Sequence, residues 1–170
     1  MTENESKIFE LKGNKNYKIQ LIEEQGIELT ELEKRIITEE DILTTAYQDT
    51  KGVWTIGAGH TSGVVEGQKI DVITAIRYLR KDILEAKKNC VKIFKNFKEL
   101  TEIRQECLIN MAFNLGYSRL NNFKKTIKFI EEKRYDRAGL EMLNSKWHRE
   151  DVKKRAARIA EEFADDRRVV

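Results

Sequence analysis

The sequence contains no proline, no internal repeat and no low-complexity stretch, so nothing in its composition marks a linker between domains. No apolar run approaches the ~20 residues that a membrane-spanning helix needs, so we expect no membrane span. A basic start followed by an apolar segment, the sign of a cleavable signal peptide, is also missing. The length of 170 residues predicts one globular domain with a core of its own.

Motifs for metals, phosphates and redox chemistry are missing as well. The chain has no glycine-rich phosphate loop, no CxxC pair and no HExxH. Its two cysteines, Cys90 and Cys107, lie in segments with helical spacing, and we predict buried, reduced thiols. We therefore expect neither a metal nor a cofactor.

Charge is unevenly placed along the chain. Residues 1–45 carry 6 Lys/Arg and 11 Asp/Glu, a balance of −5, whereas residues 46–170 carry 26 and 18, a balance of +8. The net positive charge of residues 46–170 favours binding to an anionic polymer, either cell wall or nucleic acid. No known nucleic-acid motif is present, so we expect no nucleic-acid partner and keep nucleic-acid binding only as an alternative.

Residues 1–28 form an N-terminal extension whose structure the sequence leaves open. Ile8–Leu11 and Tyr17–Leu21 each alternate apolar with polar residues around Gly13, which predicts either a β-hairpin or a loose arm. We expect that removing the extension would leave the fold and activity of residues 29–170 largely intact.

A helix is predicted to begin after Thr30, which can serve as its N-cap, and to bury one apolar stripe. Three acids, Glu39, Glu40 and Asp41, stand at its end. Glu39 and Glu40 both flank the apolar stripe and Asp41 points away. Periodicity alone therefore does not choose between the two glutamates, and a solvated helix end is the plain alternative.

The most unusual chemistry lies in residues 47–61. Asp49 and Gly52 bracket a predicted turn, and the β-branched and aromatic segment 53–56 predicts a strand. A carboxylate, the hydroxyl of Thr55 and the imidazole of His60 can thus converge in a small hairpin. Residues 62–67 are predicted to add a third short strand.

The run from Ala46 to Thr61 resembles phage-type lysozymes, endolysins that cut bacterial peptidoglycan. That family carries a glutamate followed by A-Y-x-D-x-x-G-x-x-T-I-G-x-G-H-T. Glu40 precedes Asp49 by nine residues and Asp49 precedes Thr55 by six, as in the family pattern. This spacing selects Glu40 over Glu39. A weaker resemblance continues through residues 108–116 and 154–159, so that it covers roughly residues 32–165.

The resemblance implies a mainly α, lysozyme-like α+β fold. A small lobe with a three-stranded hairpin sheet would be followed by a long connecting helix and a helical second lobe, with a cleft between the lobes. The helical spacing itself predicts the connecting helix from Asp71 to about Phe94. It also predicts second-lobe helices near residues 100–115, 123–133, 137–143 and 152–163.

The resemblance also implies roles for single residues. Glu40 would be the general acid, Asp49 the base or electrostatic partner, and Thr55 would hold the attacking water in an inverting reaction. His60 would pair with Asp82 as a structural clamp. Asn114 matches a family position that lines the cleft, and Arg155 matches a family arginine that faces the catalytic glutamate from the second lobe. Both would bind substrate.

Several alternatives stay open in the sequence. Asn114 is equally explained as a polar helix end. One extra residue between Trp147 and Arg155 makes the register uncertain, with Arg158 as the rival. The family has glycine directly after its catalytic glutamate, and this chain has Asp41.

The function implied is that of a muramidase, which hydrolyses the β-1,4 bond between N-acetylmuramic acid and N-acetylglucosamine. We expect a monomer whose partner is peptidoglycan. It would be made in a bacterial host cytoplasm and act on the cell wall by a route that no visible signal peptide encodes. A non-catalytic module of the same fold, binding peptidoglycan or a protein, is the alternative.

Overall fold

A computed structural model describes residues 15–169. The chain divides into two compact units, with the division between Asp82 and Ile83. The first unit contains two helices, α1 (Lys15–Glu24) and α2 (Glu31–Glu40), and two strands, β1 (Leu43–Gln48) and β2 (Trp54–Gly57). Helix α3 (Val72–Ile93) begins in this unit, and the division falls inside it.

Helix α2 begins at the predicted N-cap. The Thr30 hydroxyl accepts from the Glu33 backbone N–H at 3.2 Å, and the Glu33 carboxylate accepts from the Thr30 N–H at 3.1 Å. This reciprocal capping box satisfies two amides that a helix start leaves without partners. Arg80 Nε, on α3, donates to the buried Glu33 carboxylate at 2.8 Å, which ties α2 to α3.

The N-terminal extension differs from the prediction. Tyr17–Leu21 belongs to a helix, α1, so the predicted second hairpin strand is wrong, and Ile8–Leu11 lies outside the described residues. The buried residues of α1 are Lys18, Leu21 and Ile22, which have the i, i+3, i+4 spacing of a helix face packed on a neighbour. Helix α1 packs against α2, and these contacts argue against a dispensable extension.

The sheet of the described residues has two antiparallel strands. Tyr47 lies opposite Thr55, and Gln48 opposite Trp54. The third strand predicted at residues 62–67 is not formed. Instead Lys69 makes an isolated bridge with Thr45. The segment 62–67 is rich in turn residues. The backbone hydrogen bonds to β1 come after it, from the Ala46 N–H to the Gln68 carbonyl and from the Ile70 N–H to the Thr44 carbonyl, both at 2.9 Å.

The second unit is helical throughout the elements described. After a 3₁₀ turn at Phe97–Glu99 come α4 (Glu102–Asn121), α5 (Lys124–Glu131), α6 (Tyr135–Leu143) and α7 (Lys153–Asp165), with a π-helical turn at Trp147–Asp151 before α7. Helix α4 does not end near residue 115 as predicted. It is broken at Gly116 by a φ of 75° and ψ of 171°, and helical structure resumes.

The buried apolar residues of this unit come from every one of its helices, among them Phe94, Phe97, Leu108, Met111, Leu120, Ile130, Met142, Ile159 and Phe163. Cys90 and Cys107 are both buried and no disulfide joins them, as predicted. Burial raises the pKa of the Cys90 thiol to about 12, so this thiol stays protonated at neutral pH.

The mainly helical α+β architecture with a small hairpin sheet and one long helix is therefore confirmed. Across residues 15–169, none of the helices combines the length and the apolar character that crossing a bilayer requires.

Candidate active site

Glu40 is the last residue of α2 and is half-buried, as is Glu39, so burial does not separate them. Glu40 approaches the loop that follows β2. A Cβ on Gly59 would lie 3.8 Å from Glu40 Oε2, and Gly59 itself has a φ of 86°. The loop thus passes close to the carboxylate with a backbone that only glycine adopts readily.

Asp49 forms the turn between the two strands. Its Oδ1 accepts from the backbone N–H groups of Lys51 at 2.8 Å and Val53 at 2.9 Å. Its own N–H donates to the Val53 carbonyl at 3.0 Å. These bonds fix the half-buried carboxylate on the turn between the strands.

Tyr47 shows that Glu40 and Asp49 share one electrostatic environment. Burial raises the pKa of the Tyr47 phenol, and the negative charges of Glu40, Asp41 and Asp49 raise it further. The phenol therefore lies within electrostatic range of all three carboxylates. Tyr47 was not predicted as a site residue. Its only sequence signal was its position in the motif, two residues before Asp49.

Thr55 lies on β2 opposite Tyr47. Its side chain is buried, and the hydroxyl donates to the Val53 carbonyl at 3.0 Å. Because a hydroxyl has one proton and two lone pairs, Thr55 Oγ1 retains acceptor capacity when its proton is used in this way. A role in accepting a hydrogen bond from a water stays a prediction.

His60 and Asp82 are in direct contact. His60 Nδ1 lies 2.7 Å from Asp82 Oδ2, and Nε2 lies 3.1 Å from the carbonyl oxygen of Ser62. The imidazole is buried and its ring centroid is 4.4 Å from that of Tyr78. The contact connects the end of the hairpin to α3, and its role as a structural clamp stays a prediction. Among residues 15–169, no group of three or more His, Cys, Asp and Glu is arranged to hold a metal ion.

We expect His60→Asn to lower the free energy of unfolding by about 1–3 kcal/mol, since it leaves a buried polar network partly unsatisfied. Thermal and urea unfolding of His60→Asn, Asp82→Asn and the double variant would measure this. If the pair acts as one clamp, the double variant should lose less than the sum of the single losses, by roughly 0.5–3 kcal/mol. Strictly additive losses would show that the contact stabilises nothing.

In the second unit, Arg155 and Arg158 have different surroundings. Arg155 is buried, and its Nε donates to Asn110 Oδ1 at 2.9 Å. Arg158 instead forms an ion pair with Glu162 at 2.7 Å. The π-helical turn before α7 contains one extra residue per turn, closed by the Val152 N–H donating to the Trp147 carbonyl. The register that selects Arg155 over Arg158 stays a prediction.

Asn114 is held by an aromatic side chain. Its Oδ1 accepts from Trp147 Nε1 at 2.7 Å, and the indole packs edge-on against Phe123 at 6.2 Å between centroids. The contact gives Asn114 a structural role, and a role toward substrate stays a prediction. Trp147 also lines a cavity of about 490 Å³, whose other walls include Phe123 and four cationic side chains, from Arg119, Lys124, Lys125 and Lys146.

Comparison with known proteins identifies the family of this chain. The model of the phage lysozyme family matches residues 38–161. Two curated relatives from Dictyostelium discoideum are similar. Probable T4-type lysozyme 1 is 30% identical over an alignment of 128 positions, covering 60% of this chain and 75% of the relative. Probable T4-type lysozyme 2 is 31% identical over 147 positions, covering 69% and 84%. From the extent of the family match, together with the motif it contains, we conclude that this chain belongs to the phage lysozyme family.

Proposed function

We propose that this protein is a muramidase that hydrolyses the β-1,4 bond between N-acetylmuramic acid and N-acetylglucosamine in peptidoglycan. Family membership supports a lysozyme-like glycoside hydrolase. The observation that carries the finer proposal is the grouping of Glu40 and Asp49 around Tyr47 within the first unit. Two carboxylates in one environment are what glycosidic cleavage needs.

The two carboxylates differ in ways that fit different roles. Glu40 ends a helix beside a glycine loop and is proposed as the acid that protonates the leaving oxygen. Asp49 accepts two backbone hydrogen bonds and is proposed to act in its ionised form. It would activate a water or stabilise the oxocarbenium-like centre, with Thr55 as the second group that holds the water.

The family resemblance implies inversion at the anomeric carbon, and we propose inversion for this protein. In inverting glycosidases the carboxyl groups stand about 6.5–9.5 Å apart, leaving room for a water, whereas in retaining enzymes the separation is about 5–5.5 Å. NMR of the first-formed products should therefore show α-anomers from the β-linked substrate. First-formed β-anomers would indicate a covalent intermediate on Asp49 and remove the proposed water-holding role of Thr55.

A digestion assay separates the proposal from its alternative, a binding module of the same fold. Purified peptidoglycan is incubated with the protein, and soluble fragments and new reducing ends are measured over time. The proposal expects both to accumulate catalytically. Co-sedimentation with intact peptidoglycan without new reducing ends would instead support a binding module, and Glu40→Gln serves as the matched inactive control.

A further inference from the structure

Lys18 is the most unusual charged residue of the first unit. It lies on α1, and its side chain is 0% exposed. A buried ammonium is unfavourable unless it is paired, and here Nζ donates to Oδ1 of Asp41. Helix α1 lies outside residues 38–161, the part of the chain that the family model matches. The pair therefore links the extension to the residue directly after Glu40.

Asp41 needs such a contact because of its backbone. Its φ of 68° and ψ of −179° fall in a region that is essentially reserved for glycine. Two hydrogen bonds with backbone groups stabilise this conformation of Asp41. The Asp41 N–H donates to the Ile37 carbonyl at 3.0 Å, and the Ile42 N–H donates to Asp41 Oδ1 at 2.8 Å. The oxygen that binds Ile42 is the same one that Lys18 binds.

The backbone conformation of Asp41 affects the position of the Glu40 side chain. A change in the backbone of Asp41 rotates the peptide that ends α2. This rotation moves the side-chain carboxylate of Glu40, the residue directly before Asp41. That carboxylate lies beside the 57–59 loop, and Asp41 also contributes to the charge around Tyr47. Displacing a catalytic group by about 1 Å can cost roughly 100-fold in rate.

We propose that Lys18 is a positioning residue of the active site, which fixes the Asp41 turn and thereby the direction of the Glu40 carboxylate. The expected effect of Lys18 on the reaction rate rests on the proposed muramidase function. The expected effect of Lys18 on the position of the Glu40 carboxylate does not depend on that function. Through this contact the N-terminal helix becomes a functional part of the enzyme, beyond the segment shared with the family.

Kinetics on soluble peptidoglycan strands test the effect on rate. Lys18→Met removes the charge and keeps most of the length, and we expect kcat per folded molecule to fall roughly 10- to 100-fold with KM little changed. Adding Asp41→Gly should restore kcat to within about threefold, since glycine adopts the Asp41 backbone without being held. Leu21→Ala is the matched control, because Leu21 is buried on the same helix but is not one of the groups that bind the Asp41 carboxylate. It should leave kcat unchanged.

Three results would overturn the proposal. One is a folded Lys18→Met variant with wild-type kcat, and another is a double variant as slow as the single one. If Lys18→Met does not fold, the double variant Lys18→Met/Asp41→Gly is the test, because it removes both charged partners. The proposal requires this double variant to be folded and active.

A second measurement does not depend on activity. The ¹³C NMR resonance of the Glu40 carboxyl and the exchange rate of the Ile42 amide should both change in Lys18→Met and stay unchanged in Leu21→Ala. A wild type that is inactive on peptidoglycan, with these changes present, would refute the muramidase proposal while supporting the positioning role. Unchanged signals in Lys18→Met are the third result that would refute the positioning role.

Discussion

Glu40→Gln is expected to keep the fold and to lose about two to four orders of magnitude in rate on peptidoglycan. Glutamine has the size and polarity of glutamate but has no acidic proton to donate to the leaving oxygen. Because this proton is transferred only in the transition state, kcat and kcat/KM should fall together. Turbidity loss on cell-wall suspensions would measure the rate, and circular dichroism would show that the variant is folded.

Glu39→Gln is the matched control for this experiment. Glu39 is the preceding residue, has the same charge and is also half-buried, so a general effect of charge at the end of α2 would appear in both variants. We expect Glu39→Gln to cost much less. An active Glu40→Gln beside an inactive Glu39→Gln would mean that the acid has been assigned one residue too late in the chain.

Asp49→Asn is expected to lose about two to four orders of magnitude as well, for a different reason. Asparagine keeps an oxygen that can accept from the Lys51 and Val53 N–H groups, so the turn should persist. The lost negative charge can no longer activate water or stabilise the oxocarbenium-like centre. Initial rates on peptidoglycan would be compared with the wild type at equal amounts of folded protein.

Asp71→Asn provides the control for the loss of one charge. The Asp71 carboxylate accepts from the Thr74 N–H at 2.7 Å at the start of α3, and the hydrogen bonds with Thr74 lower its pKa. Asparagine also serves well as an N-cap. We expect this variant to remain active. Equal activity losses in Asp71→Asn and Asp49→Asn would indicate a nonspecific charge effect and contradict the role of Asp49.

Local patterns predicted the parts of the fold that local chemistry controls. The Thr30 N-cap, the long helix after Asp71 and the turn at Asp49 each depend on residues within a few positions of one another. The sequence could not show that Tyr17–Leu21 would be helical, because that stretch alternates like a strand and its helical face is fixed by packing on α2.

The candidate site was predicted from the motif, which places Glu40, Asp49 and Thr55 on a helix end and a single hairpin. Their catalytic roles stay predictions. The pairing of Lys18 with Asp41 joins residues 23 positions apart, and a lysine in an amphipathic pattern is expected at the surface. Tyr47 was missed since its importance comes from three carboxylates that only the folded chain brings near it.

Mass spectrometry of the ends formed in digested peptidoglycan tests the central claim most directly. Purified peptidoglycan is digested with the wild-type protein, and the fragments are reduced and their terminal sugars identified. A muramidase that uses water leaves hydrolysed N-acetylmuramic acid at the new reducing end, and this is the result we predict. New ends carrying N-acetylglucosamine, or anhydro-muramic acid formed without water, would contradict the assignment.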